Sequence, residues 1–203
     1  MKLLKKLSDR VLPALFWLCI MLAFDSAAIC ILTLTSAAIH EVGHILFATV
    51  IRRGGVSLPR GELLGLKIDT GSLLSYKDEA IIALGGPLIN LLIFVVALPY
   101  LHTSDYVMAL GVINLFTAIT NLLPMRGYDG ERIIHSLILS RWTVEVADSV
   151  TDALTLGCSA ILSVVSLLLL MLVGEGWWIF TFFFSVLLSE ILRKHRSTKS
   201  EIL

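Results

Sequence analysis

Apolar residues in this chain are gathered into long uncharged blocks separated by short polar stretches. The blocks cover roughly 11–24, 26–51, 80–104, 106–125, 153–174 and 176–189, the last extending toward Leu192. A helix needs about 20 apolar residues to cross the hydrocarbon of a bilayer, and most of the blocks approach that length. Read as one helix, 11–51 would be about 60 Å long, about twice the hydrocarbon thickness. A turn near Asp25 therefore divides it into two passes. The pattern predicts an all-α integral membrane protein of about six transmembrane helices, with residues 1–203 forming a single polytopic domain. Residues 52–79 make the one sizeable connection punctuated by glycine and proline, at Gly54, Gly55, Pro59, Gly61, Gly65 and Gly71. Within this region, 63–68 reads as a short membrane-associated β-strand.

Composition agrees with a bilayer as solvent. Of the 203 residues, 57% are hydrophobic and 16% charged, against about a quarter charged in an average soluble domain. Lys+Arg and Asp+Glu are 16 each, so no basic excess exists to neutralise phosphates, which argues against nucleic-acid binding. The 3 cysteines, Cys19, Cys30 and Cys158, lie in apolar runs without CxxC spacing. Neither a disulfide framework nor a cysteine zinc site is indicated. With six passes, all 16 Lys and Arg fall on one side, with both termini and the loops 52–79 and 126–152. The positive-inside rule makes that side cytoplasmic. The expected location is the cell membrane, multi-pass, with both termini and the opening of any active site toward the cytoplasm. The basic start, Met1 to Lys6, is followed by no prompt cleavage site and reads as the flank of an uncleaved first helix.

The second block carries His40-Glu41-Val42-Gly43-His44, an HExxH motif. Histidines four apart share a helix face, so both imidazoles can reach one zinc ion, and Glu41 beside them can take a proton from activated water. Ionisable residues in an apolar span are costly unless they serve a site. A catalytic zinc usually has three protein ligands. His102 is expected on the opposite side of the membrane, and His135 reads as a helix-face residue. Asp129 follows the fourth block in Asn121-Leu-Leu-Pro-Met-Arg-Gly-Tyr-Asp-Gly130, where Pro124, Gly127 and Gly130 break the helix. From these residues alone, Asp129 reads equally as a ligand or as an ordinary Asp-Gly turn.

Taken together, HExxH, then Gly86-Pro87-Leu88-Ile89-Asn90, then Asn121-x-x-Pro124 with Asp129-Gly130 resemble the site-2 protease family of intramembrane zinc metalloproteases. The likeness covers roughly residues 30–135, and the six-span layout most resembles the branch typified by the stage IV sporulation protein FB. The resemblance implies that His40, His44 and Asp129 bind Zn2+ and that Glu41 is the catalytic base. It also implies that Asn90 and Asn121 position substrate or stabilise the oxyanion; from the residues alone, Asn90 also reads as a buried side chain whose hydrogen bond ties helices together. The loop departs from the family pattern at Gly127, Tyr128 and Glu131, and Glu131 is a fallback ligand. Neither a PDZ insertion nor a C-terminal regulatory domain is expected.

The function so implied is regulated proteolysis of a membrane-embedded or membrane-associated substrate by zinc-activated water. A single-pass protein fits as partner; pro-sigma factors, anti-sigma factors and membrane-anchored regulators are family-level expectations. A free edge at 63–68 would pair with an extended substrate. Two other readings compete. One is a membrane-bound zincin of the HtpX or CAAX-processing type, whose third ligand is a Glu on a later helix, here Glu145. The other is a non-enzymatic ion-conducting protein using the same polar cluster. Trp177-Trp178 reads as an interfacial anchor, and Arg193-Lys194-His195-Arg196 as a group snorkelling at the surface.

Overall fold

A computed structural model describes residues 27–51, 75–174 and 177–201. Every regular element among them is helical: α1 (Ala27–Ile51), α2 (Tyr76–Ala97), a 3₁₀ turn (Leu98–Tyr100), α3 (Asp105–Asn121), α4 (Asp129–Leu139), α5 (Val144–Val173) and α6 (Trp177–Glu201). The expected first span, 11–24, and the strand at 63–68 lie outside the described residues.

Local chemistry sets the helix ends. Ser75 caps α2 by accepting from the Lys77 amide at 3.3 Å, while the Asp78 carboxylate accepts from the Ser75 amide at 3.3 Å, a reciprocal capping box. Ser104 caps α3 through the Tyr106 amide at 3.2 Å. Gly174, at φ +79°, closes α5 in the left-handed conformation, its amide donating to Leu170 O at 2.9 Å, as such caps prefer glycine.

Three of these elements are long and apolar enough to cross a membrane: Ala27–Ile51, Tyr76–Tyr100 and Val144–Val173. The third begins well before the expected boundary at residue 153. Glu145, Asp148 and Asp152 end the apolar run there, but their polar side chains find solvent or ion pairs and the backbone stays helical. The expected 126–152 loop likewise contains α4, an 11-residue amphipathic helix. The helices turn apolar side chains outward, with Val50 at 71% and Leu172 at 82% exposed, and so extensive an apolar surface calls for lipid or partners rather than water.

Small and polar residues fill the interior instead. Helices α1, α2 and α3 pack on one another, α4 packs on α2 and α5, and α5 pairs with α6. At the α1–α2 crossing, a Cβ on Gly43 would stand 2.5 Å from Gly85 O, and one on Gly85 would stand 2.6 Å from Gly43 O. Only paired glycines allow this approach, the means by which membrane helices gain close packing. The buried face of α5 carries Thr151, Thr155, Ser159, Ser163 and Ser166. These hydroxyls donate to carbonyls of their own helix where they are not otherwise engaged, as Ser163 does to Ser159 O at 2.7 Å.

Candidate metal centre

His40 and His44 lie one turn apart on α1 and are both buried. Close packing of α2 brings its Gly85-Gly86-Pro87 segment against them. Pro87 lacks an amide and withdraws one bond from the α2 ladder. The Ile82 carbonyl, one turn before Gly86, lies 2.9 Å from His44 Nδ1. The Gly86 amide also points at Nδ1, at 3.3 Å; the shorter contact is to a carbonyl that can only accept, which favours a proton on Nδ1 and turns the Nε2 lone pair toward the interior.

The third side chain comes from α4. The chain leaves α3 at Asn121 and turns through Leu122–Tyr128, with Gly127 at φ +89°. Met125, fully buried, anchors this turn. A Cβ at Gly130 would collide with the Leu122 and Leu123 carbonyls, so glycine is required for α4 to fold back this tightly. The Tyr128 hydroxyl is half-buried, and burial pushes its pKa up to about 12. Asp129, the first residue of α4, thereby enters the interior and is 6% exposed.

The three groups converge. His40 Nε2 lies 2.9 Å from Asp129 Oδ2, His44 Nε2 lies 3.2 Å from the same oxygen, and the two Nε2 atoms are 3.2 Å apart. Arg132 Nη1 stands 3.6 Å from Asp129 Oδ1 and leaves Oδ2 to the imidazoles. With His44 protonated at Nδ1, the triangle gathers three donor atoms on buried side chains. Protons on the Nε2 atoms, donated to Asp129 Oδ2, or a single cation shared by all three groups would relieve their repulsion. Ligands about 2.0–2.1 Å from a tetrahedral zinc are about 3.3 Å from one another, close to the separations observed. The donor set therefore fits a divalent metal such as zinc.

The remaining candidates are placed as follows. Glu41, about 100° around α1 from His40, is exposed. Asn90 is fully buried on α2, its amide nitrogen donating to Ser36 Oγ at 2.9 Å and Asn114 Oδ1 at 3.1 Å. Ser36 Oγ in turn lies 3.1 Å from Asn114 Oδ1 and 3.3 Å from Thr117 Oγ1, so a polar knot ties α1, α2 and α3 together. Asn121 donates to Thr117 O at 2.9 Å in the last turn of α3. Glu131 accepts from the Gly127 amide at 3.2 Å, supporting the turn. His102 is exposed beyond the far end of α2, and His135 pairs with Asp148 at 2.9 Å. Glu145 sits in the first turn of α5, exposed and outside the cluster. Ser36 and Thr117 carry no sequence signal beyond the cost of burying polar groups in apolar helices, whereas Asn114 lies seven residues before Asn121, on nearly the same helix face.

Among the described residues, three helices are long and apolar enough to cross a membrane, and a buried His-His-Asp triangle is able to hold a metal ion. No family model matches the chain, and no curated protein does. Among solved structures, the site-2 protease from Methanocaldococcus jannaschii is similar, with a TM-score of 0.54 and 20% identity over 90% of this chain and 86% of that one. The fold therefore resembles that of this site-2 protease.

Proposed function

We propose that this protein is an intramembrane zinc metalloendopeptidase that cleaves a membrane-embedded or membrane-associated protein. The observation that carries the reading is the triangle of His40 Nε2, His44 Nε2 and Asp129 Oδ2, with edges of 2.9, 3.2 and 3.2 Å, inside a fold like that of a site-2 protease. These three residues would hold the metal. A bound zinc supplies Lewis acidity for the attacking water and the scissile carbonyl.

The protein's own groups do the rest. Glu41 accepts the proton of the attacking water and returns it to the leaving amine. The Ile82 carbonyl holds the His44 ring in register, and Gly86 leaves room for both imidazoles. Asn90 and Asn121 are assigned to substrate positioning, with Asn90 acting on the oxyanion only when its amide leaves the Ser36–Asn114 knot. The outward apolar surface supports a multi-pass location in the cell membrane. We further propose six spans, both termini and the site opening on the cytoplasmic side, a single polytopic domain and a single-pass substrate that unwinds to expose its backbone. The sporulation-type branch is part of the same proposal. Asp129 in the cluster and Glu145 outside it favour this reading over the HtpX or CAAX-processing type.

The test is cleavage of candidate single-pass substrates in liposomes by the wild type, Glu41→Gln and chelator-treated protein. Cleavage by the wild type alone is the expected result. Cleavage that survives both treatments overturns the proposal. An ion flux altered by Glu41→Gln, with no cleavage by the wild type, indicates the ion-conducting alternative.

A further inference from the structure

Asp129 reaches the imidazoles only because the Leu122–Tyr128 turn is held in place, and one residue of that turn is tied to two other helices. The Arg126 amide donates to Thr155 Oγ1 on α5 at 3.1 Å. Its guanidinium faces two acids: Nη2 donates to Asp152 Oδ1 on α5, and Nε lies 3.6 Å from Glu190 Oε1 on α6. A second arginine closes the figure. Arg193 Nη2 lies 2.8 Å from Asp152 Oδ1, and its Nε and Nη2 reach Glu190 Oε2 at 2.9 and 2.8 Å. Two cations and two anions thus alternate around a closed, neutral ring. Glu190, at 7% exposure, is its most buried member.

Exposed ion pairs between long side chains contribute little. This ring differs in three ways. One acid is buried, so removing either arginine leaves a net negative charge beside a group with little solvent to screen it. Each acid contacts both arginines, so the four groups act as a unit. The ring also joins three segments distant in sequence, and one of them lies three residues before the Asp129 carboxylate. Hydrophobic packing along α5 and α6 could hold those two helices together without any of these charges. The ring additionally fixes where the Asp129 turn docks on them.

We propose that Arg126, clamped by Asp152 and Glu190, which Arg193 holds in turn, is a positioning residue that sets the Asp129 carboxylate against His40 and His44 and thereby sets the affinity of the site for its metal. The inference rests on the metal reading of the triangle. Groups that orient metal ligands typically alter affinity about 10- to 100-fold when removed.

The test uses the full chain in detergent, titrated with Zn2+ against a chromophoric chelator. Arg126→Gln and Glu190→Gln each weaken Zn2+ binding about 10- to 100-fold, and the double variant is little worse than either, as expected of a coupled unit. Asp148→Asn removes the charge from the His135–Asp148 pair between α4 and α5 and stays within about twofold, as an exposed pair should. In an Asp129→Ala background, Arg126→Gln leaves the residual Zn2+ affinity unchanged, because the ring acts through Asp129. Where a Gln variant does not fold, Arg126→Lys keeps the charge but not the two-nitrogen grip, and it too weakens binding. Wild-type affinity in folded ring variants overturns the inference, as does an equal loss in the Asp129→Ala background. A wild type that binds no Zn2+ removes the metal reading itself, a distinguishable failure.

Discussion

Gly86 lies so close to His40 that a Cβ on it would stand 2.6 Å from both Cε1 and Nε2 of that ring, and 2.6 Å from His44 Nε2 as well. The two imidazoles meet Asp129 because this position has no side chain. Gly86→Ala should therefore displace both rings together. Overpacking of this kind costs about 1–3 kcal/mol, and the metal site should suffer more than the fold. The expected outcome is a folded protein with a modestly lower unfolding midpoint and no stoichiometric zinc, checked by thermal unfolding and metal analysis of the same sample.

Two other glycines should respond with opposite signs. A Cβ on Gly43 meets Gly85 O at 2.5 Å and the Gly86 Cα at 2.9 Å, both backbone atoms that cannot swing aside. Gly43→Ala must push α1 and α2 apart, lowering stability and carrying His44 off Ile82. Gly157, in the middle of α5, has nothing within 4 Å of its Cβ position. Replacing it with alanine removes glycine's helix penalty and should stabilise by up to about 1 kcal/mol. Unfolding midpoints of the two variants in one detergent test the pair, and a destabilised Gly157→Ala would contradict the packing described for α5.

Glu41→Gln isolates proton transfer from metal binding. Glu41 is exposed and outside the triangle, so the variant should bind zinc like the wild type. Loss of a positioned general base typically costs about 10²- to 10⁴-fold in rate. Metal analysis and cleavage rates on one preparation should show full occupancy with that loss of turnover. Asp129→Ala should lose turnover and stoichiometric occupancy, keeping only the weaker binding that two imidazoles give.

How much of this was readable in the residues depended on spacing. His40 and His44 announce a shared helix face by their interval of four, and the structure puts them together. Asp129 was ambiguous between ligand and turn, because what carries it inward is the docking of Gly130 under the Leu122 and Leu123 carbonyls, a contact that a local sequence pattern does not encode. Helix α4 was legible only at His135, read as a helix-face residue, and its extent was hidden in the expected 126–152 loop. Its Ile133, Ile134, Leu137 and Ile138 follow helical spacing, but the segment is short and charged beside blocks of pure hydrocarbon. Arg193 was read as snorkelling to the surface, whereas it faces Glu190 and Asp152. Its i,i+3 relation to Glu190 was visible, but Asp152 on another helix was not.

Asn90 presents a choice between two roles that mutation can separate. Its amide nitrogen is committed to Ser36 and Asn114, and its Oδ1 is buried without a protein partner. As a member of the knot it joins α2 to α1 and α3, and such interhelical bonds contribute about 0.6 kcal/mol on average and up to about 1.7. On that account Asn90→Ala, Asn114→Ala and Ser36→Ala should lower the unfolding midpoint by similar small amounts, retain zinc and slow cleavage only slightly. Oxyanion donation adds a different expectation. Losing one such donor typically costs about 10²- to 10³-fold in kcat, and only Asn90→Ala would show it. Parallel measurement of unfolding, zinc content and kcat for the three variants therefore decides the matter. A kcat loss confined to Asn90, with stability matching that of Asn114→Ala, assigns the amide to the reacting carbonyl. Equal kcat values across the three leave Asn90 with the task of holding α2 against the HExxH helix.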